Sequence, residues 1–293
     1  MPTPAPPRAL ASIHDGSPTS DGNGVPLRRL APWSGARGSE AFRALDPFLL
    51  LDHFGPMTLP PGTDVGFPPH PHKGFQTLTY LIQGAFRHRD STGGRGTLLP
   101  GGAQLMTAGA GIVHEEMPVP EHLETGGPIE GVQLWINLPR ALKGGKPGYE
   151  DIPAERMPWR DFPGGRLRNL AGHWLGEQGP VETPAQIAYA HVELEAGNHF
   201  EHPLPQGWTA LVVPLHGSLS FPEGILRAGQ VGFLENSSGG LGTSAPEPVS
   251  FLVLAGEALG EPIAHYGPFV MNTAAEIEEA IREYQEGRWG RLD

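Results

Sequence analysis

The chain has 293 residues, a formal net charge of −12 and no cysteine. It is long enough for two domains or one large all-β unit. The missing cysteine excludes disulfides, thiolate metal sites and cysteine nucleophiles, and the acidic balance argues against direct nucleic-acid binding, which needs clustered Lys and Arg.

The opening residues, Met1-Pro-Thr-Pro-Ala-Pro-Pro-Arg8, lack the basic-then-apolar order of a secretory signal. No run approaches the roughly 20 apolar residues of a membrane span. A cytoplasmic protein with no membrane partner is the expectation. The 42 glycines and 33 prolines punctuate regular apolar runs, which is the pattern of turn-rich β structure.

In chain order, residues 1–8 read as a loose tail. A short strand at 9–14 precedes the turn Ser20-Asp21-Gly22-Asn23-Gly24. Residues 46–54 form an apolar run between turn signals, as a buried strand does. Residues 77–86, rich in β-branched and aromatic side chains, predict a strand leading to a turn at Gly84. Residues 98–106 carry a Pro-Gly-Gly turn followed by Ala-Gln-Leu-Met, and the alternating run 132–138 closes a first β unit over 1–140. Residues 139–165, interrupted by prolines and glycines, predict a linker. A second β unit occupies 166–293, with strands at 187–194, 209–215, 231–234 and 249–254. It ends in a helix: Thr273-x-x-Glu276 is a capping box, Ile277, Ala280, Ile281 and Tyr284 make an apolar stripe, and Gly287 is a stop signal.

The two units form a weak internal repeat. Leu78-Thr-Tyr-Leu-Ile-Gln-Gly84 is patterned like Leu211-Val-Val-Pro-Leu-His-Gly217, and Gly102-Ala-Gln-Leu-Met like Gly229-Gln-Val-Gly-Phe. Equal spacing then sets Leu241 where the first unit has His114, and Thr243 where it has Glu116. His199 and His202 are three apart, the wrong spacing for one strand face, and read as loop or surface residues.

The chemistry concentrates in residues 66–117. Side chains at i and i+2 share a strand face, so His70 and His72 can enter one barrel interior. His114 and Glu116 can do the same from a second strand, with Glu115 facing away. Three imidazoles and a carboxylate suit a borderline divalent ion: Fe(II), Mn(II), Ni(II), Cu(II) or Zn(II). Phe54, Met57, Phe75, Met106, Gln133 and Trp135 are the candidate walls of a pocket for a flat aromatic substrate.

Pro69-His70-Pro71-His72-Lys73-Gly74-Phe75, Thr107-Ala108-Gly109-x-Gly111-Ile112-x-His114-x-Glu116-Met117 and Gln133-Leu134-Trp135-x-Asn137-Leu138 resemble the pirin family of bicupins. So do Asp46-Pro47-Phe48-Leu49-Leu50-Leu51-Asp52 and Gly267-Pro268-Phe269-Val270-Met271-Asn272-Thr273. The resemblance implies an all-β bicupin: two antiparallel β-barrels of jelly-roll type, facing each other, with a C-terminal helix. It implies one divalent transition metal in the first barrel, held by His70, His72, His114 and Glu116, with Fe(II) the first expectation and Mn, Ni, Cu, Co or Zn as alternatives. Two positions depart from the family pattern. Gln76 replaces a glutamate, which removes a rival carboxylate and leaves that role to Glu116. His53 replaces an acidic residue, either at the pocket mouth or as an exposed loop histidine.

Two functions follow from the resemblance. The first is a quercetinase-like dioxygenase that opens the central ring of flavonols with O₂. Its partners are a small aromatic substrate and O₂, with Glu116 as the catalytic residue that accepts the flavonol hydroxyl proton. The second is a metal- and redox-sensing regulator with a protein partner. A charged patch flanking residues 55–65 would favour it, and Asp64 is the only charge there.

Overall fold

The computed structural model describes residues 6–36, 38–63 and 65–292. Asp64 and residues 1–5 of the expected tail therefore lie outside the described residues. Four sheets make up the two units, and every pairing within them is antiparallel.

The first unit has a seven-stranded sheet in the order Gly148–Ile152, Ala103–Thr107, Phe75–Gln83, Gly127–Asn137, Phe48–Leu59, Val25–Ala31, Ser17–Asp21. Against it lies a four-stranded sheet, Phe67–His72, Ile112–Pro118, Phe86–Asp90, Arg95–Leu98. The second unit repeats the plan. Its seven strands run Leu10–Asp15, Gln230–Leu234, Thr209–His216, Val249–Gly256, Ile187–Leu194, Gly165–Ala171, Trp159–Phe162, and its four run His199–Pro203, Gly240–Ser244, Ser218–Phe221, Gly224–Arg227.

Alternation along the strands builds two kinds of core. In the second unit Val192, Val212 and Val253 point between its own sheets and pack on Phe200, Leu219 and Leu241. Their neighbours Leu211, Val213, Leu252 and Leu254 point the other way, into a cluster shared with Leu51, Leu78, Val132 and Leu134 of the first unit. The two seven-stranded sheets thus pack face to face, buried on both sides.

The expected division at 140 and 166 is crossed by the chain. Leu10–Asp15 pairs with Gln230–Leu234 and is the edge strand of the second unit. Gly148–Ile152, inside the expected linker, takes the same edge position in the first, and Trp159–Phe162 pairs with Gly165–Ala171. An edge strand supplies one row of hydrogen bonds, so short Pro- and Gly-flanked segments suffice for it. The expected loose tail is also tied down at its end: Arg8 is 2% exposed and donates to the carbonyls of Gly239, Trp208 and Pro205.

The helix Ala274–Gln285 has the expected capping box, with Thr273 and Glu276 satisfying each other's backbone N–H groups. Although it follows the second unit in sequence, it packs on the first. Ile277 and Ala280 cluster with Val113, Phe269, Met271 and Trp289, and Lys73 pairs with Glu283. His53 is neither in a loop nor exposed. It is buried on Phe48–Leu59, where its Nε2 lies 3.0 Å from Glu130 Oε1. The same oxygen receives His216 of the second unit at 2.7 Å.

Candidate metal centre

His70 and His72 stand on Phe67–His72. Pro68, Pro69 and Pro71 keep that strand extended, and it needs few donors because it is an edge. Its neighbour Ile112–Pro118 sets His114 directly opposite His70 and Ile112 opposite His72. The ring centroids of His70 and His114 are 4.3 Å apart, those of His72 and His114 4.9 Å, and those of His70 and His72 4.7 Å. One nitrogen from each ring lies within 4.8 Å of the other two.

Among the described residues no ring nitrogen of His72 or His114 makes a hydrogen bond of ordinary geometry, although both rings are buried and the Pro268 backbone lies near His72. An unpaired buried polar atom costs about 1–3 kcal/mol, so packing alone does not account for two such rings side by side. Burial, followed by the neighbouring His70, holds both imidazoles well below the usual histidine pKa and therefore neutral. His70 Nδ1 sits 2.8 Å from the Pro68 carbonyl. A carbonyl only accepts, so Nδ1 carries the proton and Nε2 presents its lone pair. Three imidazoles that converge in this way fit a divalent transition ion.

Glu116 is not part of that converging group. The pairing register shifts between His114 and Glu116, which brings Glu116 opposite Phe67. Its carboxylate is 4% exposed on the whole-residue scale and already engaged: Thr79 Oγ1 donates to Oε1 at 3.0 Å, and Gln133 Nε2 donates to Oε2 at 3.0 Å. Trp135 Nε1 in turn donates to Gln133 Oε1 at 3.3 Å. That bond orients the amide so that its NH₂ faces Glu116. Glu115 pairs with Arg89 through its Nε at 2.7 Å. Gln76 donates to Thr107 Oγ1 and lies outside the imidazole group.

His70 and His72 open onto a cavity of about 520 Å³, within the range of small-molecule sites. Gln133 and Trp135 line it as expected, together with Leu50, Phe67, Arg29 and Asp21. The other four expected wall residues lie elsewhere. Phe54 belongs to the apolar core between the sheets and Met57 packs against that core. Met106 packs with Ala108 and Ile112. Phe75 sits behind Trp135, 4.3 Å between centroids.

Part of the wall comes from the far end of the chain, since His265, Gly267 and Pro268 also line the cavity. Gly74 permits this approach: its φ is +87°, and a Cβ there would stand 2.0 Å from the Val270 carbonyl. The buried Lys143 fastens the junction, with Nζ donating to Gly74 O at 2.6 Å, Asn137 Oδ1 at 2.6 Å and Val270 O at 3.0 Å. Burial pushes its pKa down to about 8. Sequence reading also missed His88, whose ring lies 5.3 Å from His114 and stacks on Tyr149 at 4.1 Å. The alternation Phe86-Arg87-His88-Arg89-Asp90, with every second residue buried, was the available signal.

The family model described as Pirin matches residues 31–136, and that of the Pirin C-terminal cupin domain matches residues 189–290. The chain belongs to the pirin family. A Pseudomonas aeruginosa protein named "Putative quercetin 2,3-dioxygenase PA2418" is 42% identical, with 92% of this chain and 94% of that protein covered. Rattus norvegicus Pirin is 35% identical over 92% of this chain and 90% of its own length. The crystal structure of a quercetin 2,3-dioxygenase from Acinetobacter baumannii is 36% identical, with a TM-score of 0.91, and covers 98% of this chain and 100% of that one. The pirin fold thus accounts for the two similar units.

Proposed function

We propose that this pirin is a metal-dependent dioxygenase that opens the central ring of flavonols such as quercetin with O₂. The observation that carries the reading is the convergence of His70, His72 and His114, the last two with unpaired buried nitrogens, beside a cavity that His70 and His72 line. The similarity to proteins named for that activity supports it.

His70, His72 and His114 would hold the ion, with Glu116 as a fourth ligand. A divalent transition metal there, Fe(II) first among the candidates, supplies Lewis acidity that favours the ionised form of a flavonol hydroxyl. The protein's own groups do the rest. Glu116 receives the hydroxyl proton, and Thr79 and Gln133 keep its carboxylate aimed while it is free. Trp135 gives a flat wall for an aromatic ring and fixes Gln133 through its N–H. The segment around Pro268 covers the cavity and keeps water from the bound ring.

The test is to load the protein with Fe(II), Mn(II), Ni(II), Cu(II) or Co(II) in turn and follow quercetin absorbance and carbon monoxide release. Loss of the flavonol band with stoichiometric carbon monoxide is expected with at least one ion. No turnover with any of them sinks the reading.

A further inference from the structure

Arg29 lines the same cavity, and nothing in the chemistry above uses it. It stands on Val25–Ala31 and lines the cavity together with His70 and His72; the lining contains no other Arg or Lys. Its guanidinium is locked from behind. Nε donates to Asp52 Oδ1 at 3.0 Å and Nη2 donates to Asp52 Oδ2 at 2.8 Å, a two-pronged pair with a carboxylate side chain that is 5% exposed. Asp21 stands 3.6 Å from Nη2.

A guanidinium has five N–H donors. Asp52 takes two, and Asp21 lies near a third. The two on Nη1 have no hydrogen-bond partner among the described residues, and 32% of the side chain stays exposed. Arg29 is thus held as a fork with donors to spare, on a residue that lines the cavity. Burial outweighs Arg29 and leaves the Asp52 carboxyl above its ordinary pKa, so the pair is a weak source of stability.

We propose that Arg29 is a specificity-determining residue whose Nη1 binds a substrate oxygen remote from the oxygens that face the imidazoles. The cavity would then select planar aromatics with an acidic hydroxyl or carboxylate at the far end. The inference rests on the flavonol reading, and it narrows that reading to polyhydroxylated flavonols over the bare ring system.

The experiment uses the metal-loaded full chain without O₂, so that binding is read apart from turnover. Quercetin and 3-hydroxyflavone are titrated by tryptophan fluorescence, Trp135 being in the cavity wall. The second ligand keeps the ketone and the adjacent hydroxyl and lacks every other hydroxyl. Wild type should bind quercetin at least about tenfold more tightly, as one charge-assisted hydrogen bond allows. Arg29→Lys keeps a cation against Asp52 but loses the fork, and should cut that preference to under about threefold while 3-hydroxyflavone changes little. Arg29→Met with Asp52→Asn removes both charges and should do the same; metal content and thermal melting show that each variant is folded.

Equal binding of the two ligands by wild type overturns the proposal, and so does a preference that survives in both variants or an equal loss for both ligands. A preference that Arg29→Lys abolishes, in a protein with no turnover in air, upholds the anchor and sinks the dioxygenase. Turnover with no preference does the reverse. Wild type that binds neither ligand overturns both.

Discussion

The two units share one strand plan yet differ at the few positions that decide chemistry. In the first, His70 faces His114 across the strand pair. In the second, His202 faces Leu241 at the matching place. The residue two beyond His202 is Leu204, where the first unit has His72. Leu204 and Leu241 belong to the apolar core of that unit. His202 keeps its imidazole but has a structural use: its Nε2 lies 3.2 Å from the His173 carbonyl, and its ring stacks on Trp174 at 4.3 Å. Space is not what the second unit lacks, since a cavity of about 830 Å³ opens beside His202 and Leu204. Among its described residues it lacks converging nitrogens. One framework thus serves either as a ligand cage or as a packed core, depending on two or three side chains.

Paired substitutions at the matching positions break this symmetry most sharply. His114→Ala should remove the bound ion and with it all flavonol turnover, as measured by metal analysis of the purified protein, while the fold persists. Leu241→Ala should leave metal content and turnover intact and cost about 2–5 kcal/mol of stability, the range for a leucine truncated in a packed core. Metal retained by His114→Ala, or lost in Leu241→Ala, would contradict the assignment of roles.

Next in size is the fastening between the two halves of the cavity wall. Lys143→Met leaves Gly74 O, Asn137 Oδ1 and Val270 O without their shared donor. The cost of those unpaired acceptors is offset in part by relief from burying a cation, so a loss of about 2 kcal/mol is expected. Urea unfolding measures it, and no change in midpoint would mean that the C-terminal segment is held by packing alone.

Much of this was legible in the sequence, and the reasons differ by feature. The same-face His pairs, the capping box and the repeat follow from local periodicity, and local periodicity is what a sequence displays. His70, His72 and His114 converge, while Glu116, expected with them, does not. The pocket walls did not follow. The seven-stranded sheet is apolar on both faces, one toward its own interior and one toward the other unit, so alternation marks buried residues without saying which face they serve. Phe54, Met57 and Met106 fit the pattern and yet point into apolar clusters. Arg29, His265, Pro268 and Lys143 act at the cavity across large sequence separations that no motif announces. The strand expected at 9–14 forms as Leu10–Asp15, but its place at the edge of the second unit is not legible for the same reason: its partner lies some two hundred residues away.

A finer difference concerns Glu116, whose counterpart by spacing in the second unit is Thr243. Thr243 donates to the Ser220 carbonyl at 3.0 Å, an ordinary structural bond. Glu116 is instead aimed by Gln133, and Gln133 by Trp135. Gln133→Leu should keep the ion and the fold but lower kcat by roughly 10–100-fold, the usual effect of losing a group that orients a ligand. KM should move less. A variant with wild-type kcat would show that Thr79 alone positions the carboxylate.

The last contrast is the seam between the units. Tyr80 of the first lies 2.9 Å from His191 Nδ1 of the second, and Ser250 Oγ lies 2.7 Å from Nε2. Burial first, then the charges of Arg168 and Arg166 and the nearby His216, pushes the His191 pKa down to about 3. The folded ring therefore stays neutral while the unfolded one takes up a proton near pH 6.5. Between those values the unfolded state binds more protons, so stability is full above about pH 6.5 and falls as pH drops toward 3. The slope contributed by this one group is at most about 1.4 kcal/mol per pH unit. His191→Gln removes the titration and should flatten the decline in urea midpoint between pH 6 and pH 4, whatever it costs at pH 7. An unchanged slope would assign the acid sensitivity to other groups and make the seam an inert polar contact.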